Sequence, residues 1–396
     1  MHLTNRQLFQ RNLAVPAEDA KAMEVVKAEG IYLYTDKDEQ YIDLVSGVSV
    51  SNIGHRHPKV VEAVKDQSDK YMHLMVYGKY IQSPQVQLAG LLSSVLPHYL
   101  DSVFLVNSGS EAIEGALKLA KRISGKREII AFKNAYHGST HGALSILGNE
   151  EMKYAFRPLL PDIKFLKYNN VTDIDQISSN TACVVVEAIQ AEAGIIIPDL
   201  NFMELLDKKC KQNGCILIVD EVQMGFGRTG KMFAFEHFNI KPDIICLAKG
   251  MGGGMPIGAF VSSKENMSLL THNPELGHIT TFGGHPVSSA AALASLKVIL
   301  EEELHNKSNE KGKFIANAIN NHPKVKSIRQ SGLMLAVDLH SKYKASDMVN
   351  RLKENKMIVD QFLFNDISFR IAPPLTITQN ELEIVVDRVL KSLNDL

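Results

Sequence analysis

Short apolar runs alternate with helical patterns through the middle of the chain, as is typical of parallel βαβ units. Most of the apolar runs are rich in Val, Ile and Phe without regular alternation, which favours strands covered by helices on both faces. Seven strands are predicted, at residues 103–107, 128–132, 164–168, 182–189, 215–220, 243–248 and 258–262. Three helices are predicted at 110–123, 202–213 and 286–303. The first is expected to begin at Ser110, with Glu114 a turn later. Together they predict one large α/β domain with a mostly parallel, seven-stranded sheet.

The two ends of the chain differ from this middle part. Residues 29–44 resemble a small antiparallel ribbon, and residues 311–396 mix helix with strands at 332–339 and 368–372. A second, smaller α+β domain built from both chain ends is therefore predicted. We place the N-terminal part of that domain and a linking segment at 1–80, the large domain at 81–308, and the C-terminal part at 309–396.

Charge and cysteine content limit the partners and the compartment. The 396 residues include 43 Lys and Arg against 44 Asp and Glu, a formal charge of −1. This balance predicts neither a nucleic-acid partner nor a membrane surface as partner. The four cysteines form no CxxC pair, so a reducing compartment without a disulfide scaffold is expected. No apolar signal region opens the sequence, and no stretch approaches roughly 18 apolar residues, so we expect a soluble cytoplasmic protein.

Two patterns that suggest chemistry are rejected on their context. Residues 225–230 match G-x-G-x-x-G. A dinucleotide fingerprint opens a helix directly after its strand, whereas five residues intervene here and no helical pattern follows. His55, His57, His137 and His141 have HxH or H-x₃-H spacings but lack the carboxylates of a metal site. We interpret these histidines as turn and packing residues and predict no metal.

Three features at predicted strand ends carry candidate chemistry. Ser108, Gly109 and Ser110 lie where a strand meets a helix, which is either an anion site or simply a well-capped helix. Asp220 ends a buried strand at the edge where α/β proteins bind ligands, or it caps the next turn. Lys249 follows five apolar residues and enters a glycine-rich turn, so its amine is either desolvated and reactive or extended into solvent.

Tyr136 and Thr281 complete the set, because Tyr136 adds an aromatic ring at the same edge and Thr281 adds a hydroxyl. Pyridoxal 5'-phosphate requires this combination of groups. Its aldehyde needs a lysine, its pyridine nitrogen a carboxylate, its phosphate N–H and hydroxyl donors, and its ring a flat partner. The residues taken together therefore predict a pyridoxal-phosphate site.

Over essentially its whole length the sequence resembles the class-III aminotransferases, which include acetylornithine, ornithine and 4-aminobutyrate transaminases. The resemblance runs from Gly54-His55-Arg56-His57-Pro58 to Arg370-Ile371-Ala372-Pro373-Pro374. Its most specific part joins Asp220-Glu221-Val222-Gln223 through Gly227-Arg228-Thr229-Gly230 to Lys249-Gly250. The resemblance implies the fold of type-I pyridoxal-phosphate transferases and a homodimer with active sites at the subunit interface.

The resemblance also implies roles for single residues. Lys249 would form a Schiff base with the cofactor and move the substrate proton, while Asp220 would keep the pyridine nitrogen protonated. Arg370 would bind a substrate carboxylate, and Glu192 would pair with Arg370 when none is bound. The remaining implied cofactor contacts are Ser108, Gly109, Ser110, Tyr136, His137, Glu187, Val222, Gln223 and, towards the neighbouring subunit's phosphate, Thr281.

Two departures from the family pattern bear on the substrate. Ser139 stands where ornithine, acetylornithine and 4-aminobutyrate members usually carry an Arg for a distal carboxylate. Val48 stands where ornithine transaminases tend to have Tyr, which disfavours free ornithine. We expect a ping-pong transfer from an acetylornithine- or ornithine-like ω-amine to a 2-oxo acid, with 2-oxoglutarate as the acceptor. The alternatives are an aminomutase of the same fold, a 4-aminobutyrate or diamine transaminase, a catalytically silent cofactor-binding protein and a nucleotide-binding oxidoreductase.

Overall fold

The computed structural model describes residues 3–17 and 22–396. Its strands are β1 (Val25–Glu29), β2 (Tyr32–Thr35), β3 (Gln40–Asp43), β4 (Ser102–Val106), β5 (Glu128–Phe132), β6 (Ile163–Leu166), β7 (Thr181–Glu187), β8 (Ile216–Asp220), β9 (Ile244–Leu247), β10 (Gly258–Ser262), β11 (Val325–Ser331), β12 (Met334–Leu339), β13 (Met357–Ile358), β14 (Asp360–Phe362) and β15 (Asn365–Ile371). Its α-helices are α1 (Asn5–Asn12), α2 (Ser46–Ser49), α3 (Pro58–Lys70), α4 (Ser83–Val95), α5 (Gly109–Ser124), α6 (His141–Ser145), α7 (Leu200–Gln212), α8 (Lys264–Ser268), α9 (Pro286–Glu301), α10 (Leu304–Ile319), α11 (Ala345–Glu354) and α12 (Gln379–Asn394).

A seven-stranded sheet in the order β4-β10-β9-β8-β7-β5-β6 forms the centre of the protein. Strand β10 is antiparallel to both of its neighbours, and the other pairings in this sheet are parallel. All seven predicted strands are present, with ends that differ by at most two residues. The predicted α/β class with a mostly parallel seven-stranded sheet is confirmed.

Both faces of this sheet are buried, which explains the apolar runs without alternation. Ile130 and Phe132 face one core cluster, whereas Ile129 and Ala131 face the other, which contains the apolar face of α5. Every residue of β7 is buried. Because helices cover both faces, inward and outward positions alike exclude water and select Val, Ile, Leu and Cys. The four cysteines, all in the described part of the chain, are free and buried.

The start of α5 corrects the predicted helix boundary. The helix begins at Gly109, and Ser108 is its N-cap with an extended backbone (φ −155°) and a hydroxyl that accepts from Glu111 N at 3.2 Å. The prediction that the helix begins at Ser110 was therefore wrong by one residue. Glu114 does not cap this helix. Its carboxylate accepts from Thr140 Oγ1 at 2.6 Å and from Gly142 N at 2.8 Å, which fixes the segment that follows β5.

Two four-stranded sheets are built from the ends of the chain. The predicted ribbon at 29–44 is the antiparallel set β1-β2-β3, and β13 from the C-terminal part pairs with β3 in parallel. The other sheet has the order β11-β12-β15-β14, with each pair antiparallel. The domain limits at 80/81 and 308/309 stay predictions, and α10 crosses the second without a break.

Arg228 connects the central part of the chain with both ends. Its guanidinium is fully buried and donates from Nη1 to Leu333 O (3.0 Å) and Pro373 O (2.6 Å), and from Nη2 to Asn52 Oδ1 (2.6 Å). Burial without a carboxylate in hydrogen-bond contact lowers the pKa of Arg228 to about 9. The side chain thus acts as a structural connection between segments. Within the described ranges, no helix is both long and apolar enough to cross a membrane.

Candidate active site

The carboxyl ends of five parallel strands of the central sheet lie at one cavity. The cavity has a volume of about 400 Å³ and lies where β4, β5, β7, β8 and β9 end. This is the edge at which open α/β sheets bind ligands. Ten of the predicted site residues line it, namely Ser108, Gly109, Ser110, Tyr136, His137, Glu187, Asp220, Val222, Gln223 and Lys249.

Lys249 lies at the centre of this group. It begins a short 3₁₀ turn directly after β9, with a left-handed backbone (φ 47°), and its Nζ donates to Gln223 Oε1 at 3.1 Å. Burial lowers the pKa of Lys249, although the carboxylates of Glu192 and Asp220 oppose the shift. A desolvated amine with a lowered pKa is a better nucleophile at neutral pH. The amine is therefore prepared for covalent chemistry with a carbonyl.

Asp220 and His137 form a buried pair beside Lys249. His137 Nδ1 lies 2.8 Å from Asp220 Oδ2, and Asp220 Oδ1 accepts from Val222 N at 2.9 Å. Burial by itself would lower the pKa of His137, but the hydrogen bond and charge of Asp220 outweigh burial and raise that pKa. Interpreting His137 as only a turn and packing residue was thus wrong. Its ring holds the carboxylate that faces the cavity.

Glu187 is the second carboxyl group at this edge. It is the cross-strand neighbour of Asp220, because β7 and β8 are parallel and in register at these two residues. Its oxygens accept from Ala191 N at 3.1 Å and from Tyr136 N at 3.4 Å. Burial raises the pKa of Glu187 to about 8, so the group carries a proton at neutral pH. Glu187 thus connects the two loops that carry Tyr136 and Glu192.

Close backbone packing shapes the end of the cavity at the α5 N-terminus. A Cβ on Gly109 would lie 2.7 Å from Val222 Cγ1, and a Cβ on Gly138 would lie 2.2 Å from Ser110 Oγ. Only glycine permits both approaches. The first N–H groups of α5 and the hydroxyl of Ser110 meet here, at the positive end of a 16-residue helix. The arrangement suits an anion such as a phosphate.

Arg370 and Glu192 form a second buried pair. Arg370 Nη2 donates to Glu192 Oε1 and Oε2 at 3.0 and 2.9 Å, and Leu363 N donates to Oε2 at 3.1 Å. Both side chains are almost fully buried. Glu192 lies on the loop closed by the bridge between Gln190 and Ile196. The two charges influence the pKa of Lys249 in opposite directions, although neither side chain lines the cavity.

Asp360 was not predicted from the sequence. It lies directly opposite Arg370 in the β14–β15 pair, with its Oδ1 3.2 Å from Arg370 Nε. The residue pattern does not predict the two-residue turn at 363–364 that joins β14 to β15. The opposite charges at facing positions would have been the signal once the pairing was known.

Five predicted residues lie outside the cavity lining, namely Glu192 and Arg370 described above, and Ser139, Thr281 and Val48. Ser139 is exposed, and its Oγ is 3.2 Å from Tyr136 OH. Thr281 is exposed and its hydroxyl lies 3.4 Å from Tyr77 OH. Val48 lies in a left-handed turn, with φ values of 53°, 59°, 61° and 62° over 46–49. Such a backbone is strained for a β-branched residue, and strain of this kind concentrates near functional sites.

The cavity fits pyridoxal phosphate on independent grounds. Among the described residues, Gln223 Nε2 and His137 Nε2 are buried without a hydrogen-bond partner. Gln223 therefore has a free donor beside the lysine amine, and the glycine-shaped pocket at α5 supplies donors for an anion. No group of three or more His, Cys, Asp or Glu side chains in the described ranges is arranged to hold a metal ion.

Comparison with known proteins agrees with this site. A family model described as Aminotransferase class-III matches residues 14–393. The acetylornithine aminotransferase of Methanopyrus kandleri is 39% identical over 361 residues, 91% of each chain. The LysW-aminoadipate semialdehyde/glutamate semialdehyde transaminase of Sulfolobus acidocaldarius is 34% identical over 368 residues, 92% of each chain. Among solved structures, an ornithine aminotransferase from Toxoplasma gondii matches with a TM-score of 0.90 and 27% identity, over 98% of this chain and 92% of that one.

The fold and the site define a pyridoxal-phosphate-dependent transaminase. The chain belongs to the class-III aminotransferase family, as its resemblance predicted. It is therefore an enzyme that uses pyridoxal phosphate and takes an amino donor and an oxo acid as substrates.

Proposed function

We propose that this aminotransferase moves an amino group from an ω-amine of the acetylornithine or ornithine kind to a 2-oxo acid, with 2-oxoglutarate as acceptor. The observation that carries the proposal is the desolvated amine of Lys249, which donates to Gln223 in a cavity also lined by Asp220. Curated relatives named acetylornithine aminotransferase, 36–39% identical to this chain, support the donor class. Transfer follows a ping-pong order, because the donor leaves its nitrogen before the acceptor binds.

Residues at the carboxyl edge of the sheet hold the cofactor. Ser108, Gly109 and Ser110 would bind the phosphate, and Asp220, oriented by His137, would keep the pyridine nitrogen protonated. Tyr136 and Val222 would pack against the ring, and the unpartnered Nε2 of Gln223 would donate to the cofactor, while Glu187 positions the loop of Tyr136. When bound, pyridoxal phosphate supplies an aldehyde for covalent attachment and a ring that stabilises negative charge on the neighbouring carbon.

Lys249 and Arg370 handle the substrate. The Nζ of Lys249 would be the amine that attaches the cofactor, and its lowered pKa would also suit it to hold and return a proton at the reacting carbon of the substrate. Arg370 binds the carboxylate of the 2-oxo acid after Glu192 has moved away from it. While an ω-amine without a carboxylate at the reacting carbon is bound, Glu192 keeps the charge of Arg370 neutralised.

A homodimer that shares its active sites is part of the proposal. Exposed apolar side chains support it, since Ile81 is 94% exposed and Tyr80 and Phe282 are more than half exposed. The two segments that carry these residues meet, because Tyr77 OH lies 3.4 Å from Thr281 Oγ1 and the rings of His73 and Phe282 have centroids 4.9 Å apart. Apolar patches of this kind mark protein interfaces. Thr281 lies beside them and would reach the partner's cofactor. A cytoplasmic location stays a prediction from composition and cysteine usage.

The test compares Lys249→Ala with Lys133→Ala, a matched control at an exposed lysine directly after β5. Lys249→Ala should fold and keep its oligomeric state, but lose both the absorbance of lysine-bound cofactor and all turnover. Lys133→Ala should keep both. Turnover by Lys249→Ala would refute the assigned mechanism.

A donor panel tests the substrate class. Acetylornithine, ornithine, 4-aminobutyrate and a diamine are each mixed with the cofactor-loaded enzyme, and conversion of the cofactor to its amine form is followed by absorbance. The proposal predicts the fastest conversion with acetylornithine or ornithine. Product formation without any 2-oxo acid would instead identify the aminomutase alternative.

A further inference from the structure

Arg370 forms an ion pair with a second carboxylate, that of Asp360, in addition to its pair with Glu192. Asp360 faces it across the antiparallel β14–β15 pair, and the ion pair between Asp360 Oδ1 and Arg370 Nε measures 3.2 Å. Phe362, two residues further along β14, places its ring centroid 4.6 Å from Arg370 Cζ. Two acidic groups and an aromatic face therefore surround one guanidinium that is 1% exposed.

The charges of this cluster do not cancel. By formal charge, Glu192, Asp360 and Arg370 together carry one net negative charge, and burial raises the pKa of Asp360 only to about 6, below neutral pH. Among the described residues that line the cavity, Lys249 has the one Lys or Arg side chain. Ser139 adds no cation at the position where the family usually has Arg. A substrate therefore meets a site whose one guanidinium is already matched by two carboxylates.

Arg370 nevertheless keeps free donors. Its Nη1 and Nε are buried without a hydrogen-bond partner among the described residues, since Asp360 approaches Nε as an ion pair without hydrogen-bond geometry. A ligand carboxylate that displaces Glu192 from Nη2 would pair with Nη1 as well, while Asp360 stays beside Nε because its strand is held in the sheet. With Glu192 displaced, Asp360 and the ligand are the two carboxylates around this guanidinium, so the charge of Asp360 acts directly against the ligand. The movement of Glu192 offsets part of this repulsion, since Glu192 also leaves the neighbourhood of Asp360.

We propose that Asp360 is a specificity-determining residue, which disfavours carboxylate-bearing ligands at Arg370 and favours donors that bring no carboxylate to the reacting carbon. The inference rests on the proposed transaminase site and narrows its donor class to ω-amines, diamines included. The negative cluster attracts an ammonium group and repels a carboxylate, so both effects change donor preference in the same direction.

The experiment replaces Asp360 by Asn in the cofactor-loaded enzyme, which keeps the size of the side chain and removes its charge. Asp366→Asn is the matched control, because Asp366 is an exposed aspartate on β15, the strand that carries Arg370. Calorimetric titration with glutarate, an unreactive dicarboxylate, measures binding without turnover. The ratio of kcat/KM for putrescine to that for glutamate measures donor preference. Asp360→Ser is tested in parallel in case Asp360→Asn fails to fold.

Asp360→Asn should bind glutarate more tightly by on the order of tenfold, the effect of one like charge a few ångströms away at a partly buried site. The putrescine-to-glutamate ratio should fall by a similar factor, and Asp366→Asn should change neither. An unchanged glutarate affinity and an unchanged ratio in a folded Asp360 variant would overturn the inference, as would equal changes in Asp366→Asn. If the wild type converts no amine at all, the proposed function fails, while the glutarate titration still decides the role of Asp360.

Discussion

Replacing Gly138 by Ala tests whether the N-terminus of α5 binds the cofactor phosphate. Gly138 has a left-handed φ of +128°, and a Cβ there would lie 2.2 Å from Ser110 Oγ, 2.9 Å from its Cβ and 3.1 Å from its Cα. The last of these atoms belongs to the backbone of α5, so rotation of the Ser110 side chain alone does not relieve the contact. The hydroxyl must leave its position and the loop must shift.

The expected loss is that of one hydrogen bond to a charged group. Such bonds contribute about 1.5–3 kcal/mol, so the dissociation constant for pyridoxal phosphate should rise roughly 10- to 100-fold. Titration of the apoenzyme, followed by absorbance, measures this constant. Pyridoxal without the phosphate should lose little affinity, because the perturbed donor faces the phosphate and not the ring.

Gly125→Ala is the matched control for this substitution. Gly125 ends the same helix with φ +66° and has open space at its Cβ position. Gly125→Ala therefore has the same kind of backbone strain without the clash. Its free energy of unfolding should fall by about 1 kcal/mol, and its affinity for the cofactor should not change. Two results in a folded Gly138→Ala variant would show that the phosphate lies elsewhere. One is wild-type affinity for pyridoxal phosphate, and the other is a loss of affinity for pyridoxal as large as that for pyridoxal phosphate.

Three further substitutions have defined outcomes. Ser139→Arg should lower the KM for 2-oxoglutarate by about tenfold through a charge-assisted hydrogen bond, and an unchanged KM in steady-state assays would mean that another cation already binds that carboxylate. Glu192→Gln frees Arg370, so glutarate should bind the holoenzyme on the order of tenfold more tightly in calorimetry; weaker binding would contradict the pairing as a competitor. Asp338→Asn should cost about 2 kcal/mol at pH 7 in denaturant unfolding, because Asp338 accepts two hydrogen bonds from Arg329. Burial raises the pKa of Asp338, but Arg329 and two serine hydroxyls outweigh burial and lower it, so this stabilisation is present above the ordinary carboxyl pKa. The difference from wild type should disappear as the pH falls through the lowered value, and a difference that persisted there would refute the ionic origin.

Local patterns were enough for the strands and for Lys249. Strands buried on both faces leave continuous apolar runs, and the lysine is conspicuous because it directly follows such a run and precedes glycines. The N-cap was misplaced because two serines flank Gly109, and only the extended backbone of Ser108 distinguishes them. Capping depends on backbone angles that composition does not encode.

Long-range pairs could not be predicted from spacing. His137 and Asp220 are 83 positions apart and meet only because β5 and β8 end at the same edge of the sheet. A lone histidine after a strand is more often a packing residue, so the role of His137 becomes evident only from its contact with Asp220 in the structure. The contact between Asp360 and Arg370 depends in the same way on the register of two short strands.

The site divides into two halves with different tolerance to change. The cofactor half is fixed by strand ends of the central sheet and by glycines whose Cβ atoms would collide with neighbours. The proposed substrate half combines Arg370 and Asp360 from β15 and β14 with Glu192 and Ser139 from loops. Every donor needs the same cofactor, whereas each substrate needs its own charge pattern, so departures from the family pattern are expected in the substrate half. Ser139→Arg and Asp360→Asn should therefore change donor and acceptor preference while leaving the affinity for pyridoxal phosphate unchanged. A loss of cofactor affinity in either variant would show that the two halves are energetically coupled.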